Sequence, residues 1–154
     1  MLLYLVQHAE AKREEEDPSR PLSEKGIQDI KKVSSHVSRL NLKTTQIFHS
    51  NKIRARQTAE ILAQSLKPAH GIRETDGLSP LDDPAIWQER LEGISANIVL
   101  AGHLPHLERL TSLLLCNDRD KKIVAFKMGG IVCLKREDDK TWSLQWILTP
   151  DIVI

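Results

Sequence analysis

The chain has little sulfur and no surplus of either charge. Only two of its 154 residues are cysteine, Cys116 and Cys133. Both stand in apolar sequence surroundings and neither belongs to a closely spaced metal-binding pair. A reduced, cytoplasmic protein is the simplest expectation, with a disulfide between the two left open. The 22 Lys+Arg and 21 Asp+Glu residues leave a formal net charge of +1. That balance argues against a nucleic-acid binder relying on overall positive charge. Long apolar runs are missing too. The stretch Met1 to Val6 is far too short to span a bilayer and has no basic segment before it, so neither a membrane anchor nor a signal peptide is expected. Repeats, low-complexity tracts and Pro/Gly/Ser linkers are also lacking, which predicts one domain over residues 1–154. The acidic run Glu14 to Asp17 reads as a solvated loop.

What is present alternates between strand and helix patterns. Leu2 to Val6 is a continuous apolar run, as in a strand buried on both faces, and it ends abruptly at Gln7 and His8. Beyond Ser23, a plausible N-cap, Ile27, Ile30, Val33, Val37 and Leu40 recur at helical spacing. Thr45 to Phe48 predicts a second strand. Ser50 to Arg56 then turns into a helix whose buried face is Ala59, Leu62, Ala63 and Leu66. A short extended piece near Ile72, a loop over Ser79 to Pro84 and a helix with Trp87, Leu91 and Ile94 follow. Asn97 to Ala101 is another buried strand, which delivers Gly102, His103, Leu104 and Pro105 ahead of a helix carrying Leu107, Leu110 and Leu114. Gly130 to Leu134 and Trp142 to Leu148 close the chain as a hairpin, with Trp142, Leu144 and Trp146 on one buried face. The expected fold class is α/β: three α/β/α layers around a mostly parallel sheet with an antiparallel edge hairpin.

In such sheets the functional crevice lies beyond the carboxyl ends of the strands. His8, Arg54 and His103 all fall there. An imidazole can attack phosphorus while guanidinium and imidazole donors hold the phosphoryl oxygens, and a helix starting near Pro105 would add N–H groups. No metal and no cofactor is needed for that chemistry. His103 and His106 are three apart, but no cysteine or carboxylate pattern completes a metal site with His8. His106 is therefore expected at the surface, at a helix start. His36, His49 and His70 have no motif around them.

The segment Val6-Gln7-His8-Ala9-Glu10-Ala11 resembles the Arg-His-Gly signature of the histidine phosphatase superfamily, whose fold is phosphoglycerate mutase-like. Ser50 to Ala59 is similar to its Ser-x-x-x-Arg-Ala-x-Gln-Thr segment, and Arg20-Pro21-Leu22-Ser23 to Gly26 is similar to its Arg-Pro-Leu-Ser/Thr-x-x-Gly helix entry. Gly102-His103-Leu104-Pro105 occupies the place of its second histidine. The short chain, the Arg-Pro-Leu entry and the His-Leu-Pro turn point to the SixA-type phosphohistidine phosphatases. The resemblance implies His8 as a transiently phosphorylated nucleophile, with Gln7, Arg20, Arg54 and His103 as phosphate contacts. It also implies an open pocket without a lid, and a histidine-phosphotransfer or phosphocarrier protein of a bacterial signalling pathway as partner. The proton donor stays unassigned: Asp76, Asp82 and Asp83 lie in the right region without a matching motif.

Two positions depart from the signature. Gln7 stands for arginine and Ala9 for glycine. Charged hydrogen bonds contribute about 1.5 to 3 kcal/mol and neutral ones about 0.5 to 1.5, so Gln7 would cost roughly 1 to 2 kcal/mol of phosphate binding. Ala9 is harmless at negative φ and costly at positive φ. Lys12, Arg13 and Arg20 are the candidates to replace the missing charge. Three functions follow: a phosphohistidine phosphatase, a phospho-ligand binding module without efficient turnover, and a phosphomonoesterase for a small metabolite.

Overall fold

The computed structural model describes residues 1–153. Six strands form one sheet: β1 (Leu2–Gln7), β2 (Gln46–His49), β3 (Ile72–Glu74), β4 (Ile98–Gly102), β5 (Ile131–Arg136) and β6 (Trp142–Leu148). Their spatial order is β3-β2-β4-β1-β5-β6. The first four in that order are mutually parallel. β5 joins β1 antiparallel and β6 closes the edge against β5. This is the predicted α/β arrangement.

Four helices cover the sheet: α1 (Glu24–Ser38), α2 (Ile53–Leu66), α3 (Ala85–Glu92) and α4 (His106–Cys116). Side chains alternate across a strand, so the apolar run of β1 feeds two cores at once. Tyr4 and Val6 pack with Ile30, Val33, Leu62 and Val99 on one face. Leu3 and Leu5 pack with Trp87, Leu91, Leu107 and Leu110 on the other. Burial on both faces explains why the central strands read as unbroken apolar runs rather than as alternating ones.

The apolar patterns mislead in a few places. α1 stops at Ser38, with Arg39 as its cap, and Leu40 is left 45% exposed instead of extending the buried stripe. Ala63 is only partly buried. Trp142 and Trp146 do not share a face: the β5–β6 register shifts between Cys133 and Leu134, opposite Trp146 and Leu144, leaving Gln145 as the extra residue. A bulge of this kind inverts the alternation beyond it. Trp146 therefore packs beside Tyr4, at 5.9 Å between ring centroids, while Trp142 joins the opposite core. Both cysteines are free. Cys133 is buried, but Cys116, at the end of α4, is exposed rather than apolar-packed.

Candidate active site

β1, β2 and β4 lie side by side and parallel, so their carboxyl ends open at one edge of the molecule. That register brings His8, the Ser50–Arg54 turn and His103 together. The backbone closes the join: His8 N–H donates to Gly102 O at 3.0 Å, and Ser50 N–H to Ala101 O at 3.3 Å. The imidazoles of His8 and His103 stand 5.1 Å apart between centroids, tilted by 51°.

The hydrogen bonds fix what each ring offers. A carbonyl only accepts, so the 2.7 Å contact from His8 Nδ1 to Ala9 O puts the proton on Nδ1 and leaves the lone pair on Nε2. Burial, opposed in part by the Ala9 bond and reinforced by Arg54 and Arg20, lowers the His8 pKa to about 4. His8 is a neutral imidazole at pH 7. Ser50 Oγ lies 2.6 Å from His103 Nε2 and already accepts the Lys52 N–H at 3.2 Å. With the Ser50 hydrogen directed at Nε2, the neutral His103 ring carries its proton on Nδ1, as an N–H donor. That donor is buried and has no partner, and neither has Arg54 Nε. Burial, then His8 and Arg54, lowers the His103 pKa to about 3.

The motif residues around these groups serve as fasteners. Thr58 Oγ1 accepts the Ala9 N–H at 3.0 Å and donates to Arg54 O at 2.8 Å, tying the loop after His8 to α2. Gln57 Oε1 accepts the Leu22 N–H at 2.7 Å. Ser23 caps α1 through Gly26 N–H and donates to Glu10 Oε2 at 2.7 Å. Gly26 is packed against the Glu10 backbone, where a Cβ would come within 2.0 Å of Glu10 O. These residues were visible as motif letters, but their positioning roles, and that of Ser50, depend on contacts across the fold.

Arg20 adopts φ 50° and donates from Nε to Lys12 O at 3.1 Å. It is the one replacement candidate whose charge reaches His8. Arg13 instead pairs with Glu16 on the surface, and Lys12 is exposed. Ala9 is fully buried and is not among the positive-φ residues, so its methyl group brings no backbone strain. Gln7 Oε1 is buried without a partner. Gln7 lines a cavity of about 650 Å³ with Leu104, Phe126 and Met128. Arg20 and Arg54 line a different one.

The three aspartates all have structural engagements. Asp76 pairs with Arg90 at 2.7 Å. Asp82 accepts the Ser79 N–H, and Asp83 accepts from Ala85 N–H and Arg119. Among the described residues, no group of three or more His, Cys, Asp or Glu is arranged to hold a metal ion. No helix there is long and apolar enough to cross a membrane.

His106 overturns the surface expectation. It is completely buried, and neither ring nitrogen has a partner. The helix start directs it inward, toward the loop carrying Asp82 and Asp83. Burial outweighs the effect of Asp82 and lowers its pKa to about 4. The folded pKa lies below the unfolded one, so acidification from about pH 6.5 toward 4 protonates the unfolded chain first and destabilises the fold. An unpartnered buried polar group costs about 1 to 3 kcal/mol. His106→Leu should thus raise stability at pH 7 by roughly 1 to 2 kcal/mol. It should also reduce the loss between pH 7 and pH 5, both measured by urea denaturation.

Fold and family together define the class, a phosphatase of α/β architecture. The model of the histidine phosphatase superfamily (branch 1) matches residues 3–83. An uncharacterized protein of Picosynechococcus sp. (strain ATCC 27264 / PCC 7002 / PR-6) is 39% identical over 114 residues, covering 70% of this chain and 68% of its own. The chain belongs to the histidine phosphatase superfamily. Among solved structures, the protein histidine phosphatase SixA complexed with tungstate superposes with a TM-score of 0.85 at 20% identity, covering 98% of each chain. The alpha-ribazole phosphatase of Shigella flexneri gives 0.78 at 13%, covering 97% of each. A phosphoserine phosphatase variant of Entamoeba histolytica in complex with phosphoserine gives 0.74 at 14%, covering 99% of each. One fold thus accommodates names for three different substrates, and the substrate has to be argued from the site.

Proposed function

We propose that this chain is a phosphohistidine phosphatase acting on a histidine-phosphorylated protein in the cytoplasm, through a phosphorylated His8. The observation that carries the phosphoryl site is the pair of buried side-chain nitrogens without partners, His103 Nδ1 and Arg54 Nε, beside the His8 ring. Buried N–H groups are seldom left without acceptors, and a tetrahedral oxyanion would satisfy both. His8 Nε2 attacks phosphorus, an Nε2–P bond forms and the substrate N–P bond breaks. The departing imidazole takes a proton from water admitted by the open pocket, because Asp76, Asp82 and Asp83 are engaged elsewhere. Water then attacks the phosphoenzyme, releasing phosphate and restoring His8.

The compact scaffold favours a protein substrate over a small metabolite. Between Leu66 and Ala96 the chain forms only the three-residue β3 and the eight-residue α3 beside connecting loops. No lid is built there to enclose a small molecule. The deciding experiment compares phosphate release, with a chelator present, from a phosphohistidine-bearing phosphotransfer or phosphocarrier protein and from small phosphomonoesters. A higher kcat/KM on the phosphoprotein supports the proposal, and the reverse makes the chain a metabolite phosphatase.

Gln7 favours a second reading, an anion receptor with little turnover, because its amide brings no charge and faces the other cavity. Gln7→Arg separates the two. On the phosphatase reading it raises kcat/KM by roughly 5- to 30-fold, the equivalent of about 1 to 2 kcal/mol. Saturable phosphate binding with no release by either form would leave the receptor.

A further inference from the structure

Gln7 closes β1 at the position where the resemblance implies an arginine on the phosphate, yet its side chain and the phosphoryl cations line different cavities. Arg20 and Arg54 share one of them. Gln7 lines the other, about 650 Å³ in volume, whose apolar walls are Leu104, Phe126, Met128 and Pro150. That cavity adjoins the nucleophile. Leu104 follows His103 directly, and Gly129 N–H, next to Met128, donates to Gln7 O at 3.0 Å and to His8 O at 3.3 Å.

The charges of this cavity are largely matched within the chain. Lys25 pairs with Asp29 at 2.7 Å and Lys127 with Asp151 at 3.2 Å, while Glu10 accepts from Ser23 at 2.7 Å. Lys32 is exposed on α1. The buried group left unmatched is neutral: Gln7 Oε1 has no hydrogen-bond partner. Buried acceptors are seldom left so. The terminal torsion of glutamine is broad, so a turn of an amide oxygen that nothing holds presents it to the cavity at little cost. Apolar walls with a few orienting polar groups characterise pockets for organic rings rather than for bare ions.

We propose that this cavity receives the leaving group of the substrate, an imidazole, and that Gln7 Oε1 accepts the N–H of the ring nitrogen away from phosphorus. Gln7 is then a specificity-determining residue for phosphohistidine. The inference rests on the phosphoryl site formed by His8, Arg54 and His103. An imidazole phosphorylated on one nitrogen carries hydrogen on the other only when protonated, and the protonated ring is the better leaving group. An amide oxygen can accept that hydrogen, which a guanidinium cannot. The step balances: the far nitrogen takes its proton from water, His8 Nε2 forms its bond to phosphorus, and the electron pair of the broken N–P bond stays on the departing nitrogen. Neutral imidazole leaves. An alcohol leaving group has no N–H at that place.

Calorimetric titration of the whole protein with imidazol-4-ylphosphonate and thiazol-4-ylphosphonate tests the contact. Neither is hydrolysed at its C–P bond, and the thiazole sulfur replaces the imidazole N–H that lies across the ring from phosphorus. Wild type is expected to prefer the imidazole about fivefold, as one net hydrogen bond would give. Gln7→Met, which keeps the length and loses the acceptor, should remove the preference, and Gln7→Glu should restore it. No preference in wild type, or a preference that survives Gln7→Met, overturns the contact. Turnover gives a second readout. Gln7→Met should lower kcat/KM on a phosphohistidine peptide about fivefold more than on phenyl phosphate, whose leaving group has no N–H. Equal losses overturn the specificity role. Gln7→Arg exchanges the acceptor for a charge, so its gain should be larger on phenyl phosphate. Phosphate release from no substrate would overturn the phosphatase reading alone, and the two phosphonates would still decide the contact.

Discussion

Replacing His8 with alanine is expected to reduce phosphate release by roughly 10³-fold or more, the scale seen when a nucleophile is removed from a site whose binding groups stay in place. Acid-labile labelling of the enzyme should vanish with it. Orthophosphate should still bind, because Arg54 and His103 do not depend on the His8 ring for their position: α2 and the Ser50 bond to His103 hold them. The pH profile makes the same claim in another way. An exposed histidine with a pKa near 6.5 would lose half its nucleophilic form at that pH. With its pKa lowered to about 4, His8 stays neutral at pH 5. The limb of kcat/KM that reports His8 should therefore hold to about pH 5 and fall only nearer pH 4. Activity of His8→Ala within tenfold of wild type would remove His8 from the role of nucleophile, and a limb near pH 6.5 would mean that burial does not lower its pKa.

The second large effect comes from a residue that touches no phosphate. Gly26→Ala places a methyl carbon 2.0 Å from Glu10 O and 2.9 Å from Glu10 C. Both are backbone atoms, so no side-chain rotation relieves the overlap. Either α1 moves outward or the Glu10 peptide moves, and Glu10 is two residues from His8. Overpacking of this kind costs typically about 1 to 3 kcal/mol, and more when the backbone is the obstacle. A loss of roughly 3 to 4 kcal/mol in urea denaturation is expected, together with weaker orthophosphate binding. The obstacle is space alone, since Gly26 sits within α1 and is not a positive-φ glycine. Unchanged stability would mean that α1 and the His8 loop are not rigidly coupled. The Ser23 bonds to Glu10 and the Ala11–Leu22 bridge argue that they are.

Much of this was legible before the fold. Apolar runs on both sides of a strand end required His8 and His103 to emerge at a sheet edge. The chain order of strands and helices then placed them at the same edge, because parallel strands all end on one side. The resemblance of four segments to one family supplied His8, Arg54 and His103, and the structure brings those three together. His106 shows the limit of such reasoning. Its position at a helix start looks polar on paper, yet the rotation of α4 turns it into the core, and rotation is set by packing against β4 and α3. Trp142 and Trp146 show another, since period-two alternation holds only while the register does.

The sequence by itself determined the strand runs, the helix stripes and the chemistry of the groups at their ends, because those follow from local periodicity and side-chain type. Only the tertiary structure decided protonation and partnership. Which nitrogen of His8 is free, which donors stay unpaired and which cations meet at the start of α2 depend on burial and on contacts between residues about 30 to 50 positions apart in the chain, such as Ser50 with His103 and Ala9 with Thr58.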